Sequence, residues 1–229
     1  MPTETQHIVI AGATGEIGRQ LVRQASARAG VAVYALTRRA GACSGNPAVQ
    51  EVVFNFEDPR EYDSLFQRIP CDVLFLALGS TRKKAGVSGL VRVERDYPIA
   101  LIDALSRHRP GARIGYVSSV GADSPSGAYL KAKADVEERL RNCNLPCVIA
   151  RPSLLLSRRA EFRLGEVIAR KALAPPWLWA IRKFAPGSQR LWKWAPVPVG
   201  TVAASLLNMA LNLSGTECRI LEGLDLREL

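Results

Sequence analysis

The sequence is poor in the residues that build metal centres. It holds two histidines, His7 and His108, and five cysteines, Cys43, Cys71, Cys143, Cys147 and Cys218. Cys143 and Cys147 have the spacing of half a zinc site, but no second pair completes it, so no metal is expected. An odd cysteine count without framework spacing excludes a disulfide-stapled scaffold, and reduced thiols in a cytoplasmic protein are the expectation. A targeting signal is missing too. The first apolar run, "HIVIAGATG", has no basic segment before it and passes straight into a glycine-rich turn. Long apolar runs are absent. The longest stretch without charge, Trp194 to Thr216, is broken by Pro196, Pro198, Gly200, Asn208 and Asn212, and reads as a loop and a buried helix, not a membrane span. The chain also has no internal repeat and no linker between two domains.

Acidic residues are in deficit. Thirty-one Lys and Arg stand against 21 Asp and Glu, a net charge of +10. That balance suits nucleic acid, an anionic surface or an anionic ligand. No nucleic-acid motif is present and the basic residues are spread along the chain; a basic surface with no partner fits as well, and composition alone does not separate these readings. The remaining composition is that of a globular protein: 229 residues, 48% hydrophobic, enough for a sizeable core in one domain.

Apolar strand-like runs alternate with helical patterns. "HIVIAG", "VAVYALT", "VQEVVFNF", "CDVLFLALG", "ARIGYVSS" and "PCVIARP" read as six strands, with "CRILEG" a late seventh. Between them "EIGRQLVRQASARAG", "EYDSLFQRI", "DYPIALIDALSRHR" and the run around Tyr129 read as helices, and "TVAASLLNMALNL" as one more. Strands this apolar are covered on both faces, which predicts an α/β fold with a doubly wound, Rossmann-type parallel sheet. The alternation fades after Ser153, so residues 1–229 are read as a single domain in which 153–229 form a small C-terminal, substrate-side extension.

The first strand leads into "GATGEIG", with Gly12, Gly15 and Gly18 at the spacing G-x-x-G-x-x-G. Between a strand and a helix, such glycines allow a tight turn and let backbone N–H groups approach a pyrophosphate at a helix N-terminus. Dinucleotide binding by Gly12, Thr14, Gly15, Glu16, Ile17 and Gly18 is the expectation. The second strand ends in Arg38 and Arg39, where an NAD site has an acid for the ribose 2′-hydroxyl; arginine suits a 2′-phosphate, so NADP(H) is expected over NAD(H). Leu78 and Gly79 end the fourth strand, at the sheet edge where such folds bind ligands.

The fifth strand ends in Ser118 and Ser119, and "AYLKAK" places Tyr129 and Lys133 one helical turn apart. A strand-end serine followed by Tyr-x-x-x-Lys, after a dinucleotide fingerprint, resembles the short-chain dehydrogenase/reductase superfamily in its atypical branch. "GATGEIG", "LGSTRKKAG", "VRVERDY", "SSVGAD", "YLKAKADVE", "RPSLLL" and "RLGE" are similar, in order and spacing, to the Tat-interacting oxidoreductase family over nearly the whole chain. Two places depart from it: Asn55 stands where the family has an aspartate near the adenine, and the Trp-rich stretch 174–196 matches poorly. The resemblance implies that Tyr129 is the general acid or base, that Lys133 lowers its pKa and binds the nicotinamide ribose, and that Ser119 hydrogen-bonds the substrate oxygen, with Ser118 the rival. It also implies cofactor contacts at Leu155 and Arg163. The expected activity is hydride transfer between NADPH and a small carbonyl or alcohol. The alternative is an NADPH-binding regulatory module with little turnover, since family members also bind partner proteins. A monomer or homodimer fits either, and the Trp-rich stretch is expected to cover the substrate side.

Overall fold

The computed structural model describes residues 5–43, 45–80, 82–156, 179, 181, 183 and 187–227. Its strands are β1 (Gln6–Ala11), β2 (Val31–Thr37), β3 (Val49–Val53), β4 (Val73–Leu76), β5 (Arg113–Val117) and β6 (Cys147–Ala150), then the short β7 (Leu155–Leu156) and β8 (Val197–Pro198), and last β9 (Cys218–Leu221). Seven of them form one parallel sheet in the order β3-β2-β1-β4-β5-β6-β9, and β7 pairs with β8 apart from it. The helices are α1 (Glu16–Ser26), α2 (Pro59–Arg68), α3 (Arg82–Val91), α4 (Tyr97–His108), α5 (Gly127–Arg141), α6 (Gln189–Trp194) and α7 (Val199–Asn212). The sheet order reverses between β1 and β4, and that switch point opens the crevice where such folds bind ligands.

Each strand serves two cores. In β1, Ile8 and Ile10 pack on one face and Val9 and Ala11 on the other, the period of two that a pleated strand imposes. The Ile8 face is covered by α1 and α7, the Val9 face by α2, α4 and α5. Helix α1 forms because Ile17, Leu21, Val22 and Ala25 recur as one apolar stripe. Helix α2 starts at an Asp58 cap that accepts the Arg60 N–H at 3.0 Å, with Pro59 in its first turn.

The six expected strands and the late seventh are all present, and the doubly wound fold is as expected. Two features differ. "CRILEG" supplies β9, the outermost strand beside β6, and α7 packs on the sheet, so the C-terminal residues complete the core as well as extending it. In addition, Cys147 of β6 lies opposite Cys218 of β9 and the two are joined as a disulfide, with Cα atoms 4.6 Å apart. Reduced thiols were expected throughout; a parallel register invisible in the sequence spacing brings this pair together. Among the described residues Cys43, Cys71 and Cys143 are free. No group there could hold a metal, and no helix there is long and apolar enough to cross a membrane.

Buried charge anchors α5 to the sheet. Glu137, on α5, accepts from Arg151 Nε at 2.9 Å and from Ser118 Oγ at 2.6 Å, and pairs with Arg141 at 2.8 Å. Burial pushes the Glu137 carboxyl up, but the hydrogen bonds from Arg151 and Ser118 outweigh it and hold the group below the usual carboxylate range. A carboxyl whose pKa falls on folding stabilises the fold above its unfolded value, about 4.3, and that contribution is lost as the pH drops through the lowered folded value. The melting temperature should therefore fall as the pH drops through about 4 and below. Glu137→Gln should flatten that acid limb and cost about 3–5 kcal/mol at neutral pH, because buried Arg151 loses its main counter-charge. Melts of both proteins across the acid range check this.

Candidate active site

The expected site residues that are described lie along one edge of the sheet, where β2, β1, β4, β5 and β6 end. The β1–α1 turn is built from three glycines with three different reasons. Gly12 has φ = 88°, and a Cβ there would stand 2.4 Å from the Ala77 carbonyl oxygen. A Cβ on Gly18 would stand 2.0 Å from the Gly12 oxygen. The fold itself demands glycine at both positions. Gly15 is different: its φ of −72° is open to any residue, and its Cβ would meet Gly12 oxygen at 3.2 Å. Nothing in the chain requires a glycine there as strictly. Gly15 also caps α1 without a side-chain hydrogen bond, so the helix N-terminus is open to an incoming anion. Thr14 and Gly15 are exposed beside it and Glu16 half-buried. Ile17 is buried in the core and has only its backbone to offer a ligand.

Arg38 and Arg39 are exposed just past the end of β2, next to the β1 terminus by the pairing of Ala11 with Leu36. The acid of this loop is Glu51, on β3. Its carboxylate accepts the N–H groups of Gly41 and Ala42, each at 2.8 Å, and of Cys43 at 3.3 Å. Asn55 shapes the next loop, its side-chain oxygen accepting the Glu57 N–H at 3.1 Å. Leu78 is half-buried and Gly79 exposed at the end of β4. Leu155, in β7, packs against the α1 and α7 side of the core, and Arg163 lies outside the described residues.

Beyond β5 the two serines part. Ser118 is 2% exposed and spends its hydroxyl on Glu137. Ser119 is only half-buried, and its hydroxyl makes a 3.3 Å contact with the Val120 carbonyl oxygen. Tyr129 is 39% exposed at the start of α5. One turn on, Lys133 turns inward and is 3% exposed. Its ammonium donates to the Val117 carbonyl at 2.9 Å, and lies 5.0 Å from the Tyr116 ring centre and 5.7 Å from that of Tyr129. It also pairs with Glu94 at 2.9 Å. Burial alone would push the Lys133 ammonium down, but Tyr116, Glu94 and Tyr129 outweigh it and hold it above the usual lysine range.

Glu94 is the residue that sequence reasoning missed. It sits in a π-helical turn, Arg92–Asp96, between α3 and α4, and its other carboxylate oxygen accepts the Ser80 N–H at 2.7 Å. The only signal was an acid inside "VRVERDY", a stretch similar to the Tat-interacting family but given no role.

A family profile described as NAD(P)H-binding matches residues 12–170. The chain is 32% identical over 225 residues to protein HTATIP2 of Rattus norvegicus, covering 96% of this chain and 87% of the relative. The chain belongs to the NAD(P)H-binding family. By its identity and coverage it belongs to the family of that relative as well. Its fold is shared with a short-chain dehydrogenase from Streptomyces avermitilis (TM-score 0.67, 19% identity, 97% of this chain and 90% of that one). It is shared too with the Bordetella bronchiseptica enzyme WbmH, solved with NAD+ (TM-score 0.70, 13% identity, 96% and 76%).

In this NAD(P)H-binding protein the Trp-rich stretch lies only partly among the described residues, with Trp177 and Arg182 outside them. Trp192 is buried against Ile181 and Ala195, with the Arg227 guanidinium 4.8 Å from its ring centre. Trp179 and Trp194 are exposed. Lys193 of α6 pairs with Asp123 at 2.7 Å, which fastens α6 to the loop that follows Ser119.

The three glycines give a direct test. Gly15→Ala should leave stability within about 1 kcal/mol of the parent. Gly12→Ala and Gly18→Ala should each cost at least about 1–3 kcal/mol, by overpacking against backbone that cannot yield. Gly15→Val should still fold yet lose dinucleotide binding. Melts and cofactor titrations of the four variants check this, and an unchanged affinity in Gly15→Val would remove the pyrophosphate from this turn.

Proposed function

We propose that this protein is an NADPH-dependent oxidoreductase acting on a small carbonyl or alcohol, with Tyr129, Lys133 and Ser119 as its catalytic residues. The observation that carries the reading is Lys133. An ammonium buried this deeply is costly to keep, and hydrophobic packing alone gives no reason for one. Here it stands at the ligand-binding edge of the sheet, one turn from a tyrosine whose ring is open to solvent.

Carbonyl reduction needs a hydride, which the reduced nicotinamide supplies when bound. The chain's own part is to move a proton and hold the substrate oxygen. Tyr129 gives its phenolic proton to that oxygen, or takes one in the reverse direction. Lys133 sets a positive charge 5.7 Å from the centre of the Tyr129 ring. Ser119 is the serine left to donate to the substrate oxygen, because Ser118 is committed to Glu137. The β1–α1 turn and the open N-terminus of α1 suit a pyrophosphate, with Leu78, Gly79 and Leu155 further along the same edge and Arg163 assigned with them from the family motif. Arg38 and Arg39 would hold the 2′-phosphate. Glu51 supports that preference: its carboxylate already takes three backbone N–H groups and is not available to a ribose hydroxyl. Residues 153–229, among them Lys193 paired with Asp123, are assigned to the substrate side, within the single domain 1–229.

The second reading is a cofactor-binding regulatory module with little turnover.

Replacing Arg38 and Arg39 with alanine should weaken NADPH binding by on the order of 10-fold or more per lost contact, at about 1.5–3 kcal/mol each, and leave NADH nearly unchanged. Equal losses for both cofactors would count against the assignment. Tyr129→Phe keeps the ring and its packing and removes only the proton donor. Turnover on a carbonyl found by screening should fall by roughly 10²–10⁴-fold while NADPH still binds. Full activity in that variant would return the tyrosine to an ordinary helix face and favour the regulatory reading.

A further inference from the structure

The buried pair of Lys133 and Glu94 is carried by an unusual piece of backbone. The segment Arg92–Asp96 is π-helical, a conformation that is rare and recurs at functional sites. Its widened turn is where Glu94 enters the interior, at 2% exposure, while its neighbours Arg92 and Arg95 form outer ion pairs with Glu57 and Asp96. The two oxygens of Glu94 serve different elements. One takes the Ser80 N–H, next to Gly79 in the loop after β4, and the other meets the Lys133 ammonium of α5. The carboxylate thus bridges the loop expected to line the cofactor and the lysine expected to act on it.

We propose that Glu94 is the positioning residue of this site: delivered by the π-helical turn, it keeps Lys133 charged and fixes its ammonium at the end of β5, in register with the loop after β4. The proposal deepens the oxidoreductase reading and rests on it for the role of Lys133. Among the described residues the groups facing that ammonium are few. From β5 come the Tyr116 hydroxyl, buried without a hydrogen-bond partner, and the Val117 carbonyl. From α5 comes the Tyr129 ring, and one turn further on Glu137 is already taken by Arg151. Glu94 is the carboxylate that contacts Lys133. Without it, burial would favour the neutral amine, and the positive charge one turn from Tyr129 would disappear as the pH rises.

The sign is definite. A lysine held above its ordinary value stays charged, and keeps its stabilising contribution, until the pH climbs through that raised value. Removing the carboxylate brings the titration down. Two variants test this in the full chain: Glu94→Gln, which keeps an acceptor for the Ser80 N–H but not the charge, and Glu94→Asp, which keeps the charge. Melts and NADPH titration establish that both fold and bind.

The lysine side chains are then labelled and followed by NMR against pH, with the Lys133 signal identified by its loss in Lys133→Met. In the parent, Lys133 should stay protonated to the alkaline limit of the folded protein. In Glu94→Gln it should titrate at least about one pH unit lower, and turnover relative to the parent should fall about tenfold per unit above that point. Glu94→Asp should restore both. A Lys133 that stays protonated over the same range in Glu94→Gln overturns the proposal. So does a titration that moves while relative turnover stays flat with pH. A parent protein that binds NADPH and reduces nothing in a carbonyl panel overturns the oxidoreductase reading instead, and the lysine titration alone then decides whether Glu94 holds that charge.

Discussion

A close approach of backbone to backbone is the constraint on which this edge of the sheet depends. Gly12, Gly18 and Ala77 bring the ends of β1, α1 and β4 so near together that a methyl group on Gly12 or Gly18 would overlap a carbonyl oxygen. That crowding sits at the point where the sheet order reverses. It sets how α1 leaves the sheet, and so where its N-terminal N–H groups lie. It also pins the end of β4, through the Ala77 N–H bond to Ala11 oxygen at 2.9 Å, and with it the loop that carries Leu78, Gly79 and Ser80. The turn, the loop after β4 and the lysine tied to that loop by Glu94 are therefore parts of one rigid arrangement.

How much of this could be read in advance depended on whether the information was local. The parallel sheet was legible because each central strand is apolar on both faces and each helix carries its own stripe, as Ile8 to Ala11 and Ile17 to Ala25 show. The glycine turn was legible by its place between two such patterns, although the letters alone do not show that Gly12, with φ = 88°, is the position with left-handed backbone. Tyr129 and Lys133 were legible because one helical turn is a fixed spacing. What was not legible was pairing across long separations. Nothing in the spacing of Cys147 and Cys218 announces a shared register, and nothing around Glu94 announces a lysine 39 positions away. The helix α3 and the π-helical turn after it also escaped, since Gly86 and Gly89 weaken any helical reading and a π-turn has no periodic signature. Ser118 and Ser119 were indistinguishable as letters. Only the alternation of the strand, which turns Ser118 inward to Glu137, separates them.

The charges around this edge follow a common pattern. Lys133 is matched by Glu94 and Arg151 by Glu137, each pair nearly sealed from water, while the more exposed Lys193 reaches both Asp123 and Glu222. Buried pairs of this kind are weak devices for stability, because desolvation consumes most of what the attraction returns. Apolar side chains of the same volume would hold α5 to the sheet as well. What apolar packing lacks is direction. The Arg151–Glu137 pair, with Ser118 as its third member, fixes the rotation of α5 about its own axis. That rotation determines whether the next turn presents Lys133 to the sheet edge and leaves Tyr129 at the surface. Tyr129 and Lys133, four residues apart on α5, accordingly differ in exposure, 39% against 3%, with the lysine drawn inward by the Val117 carbonyl and Glu94.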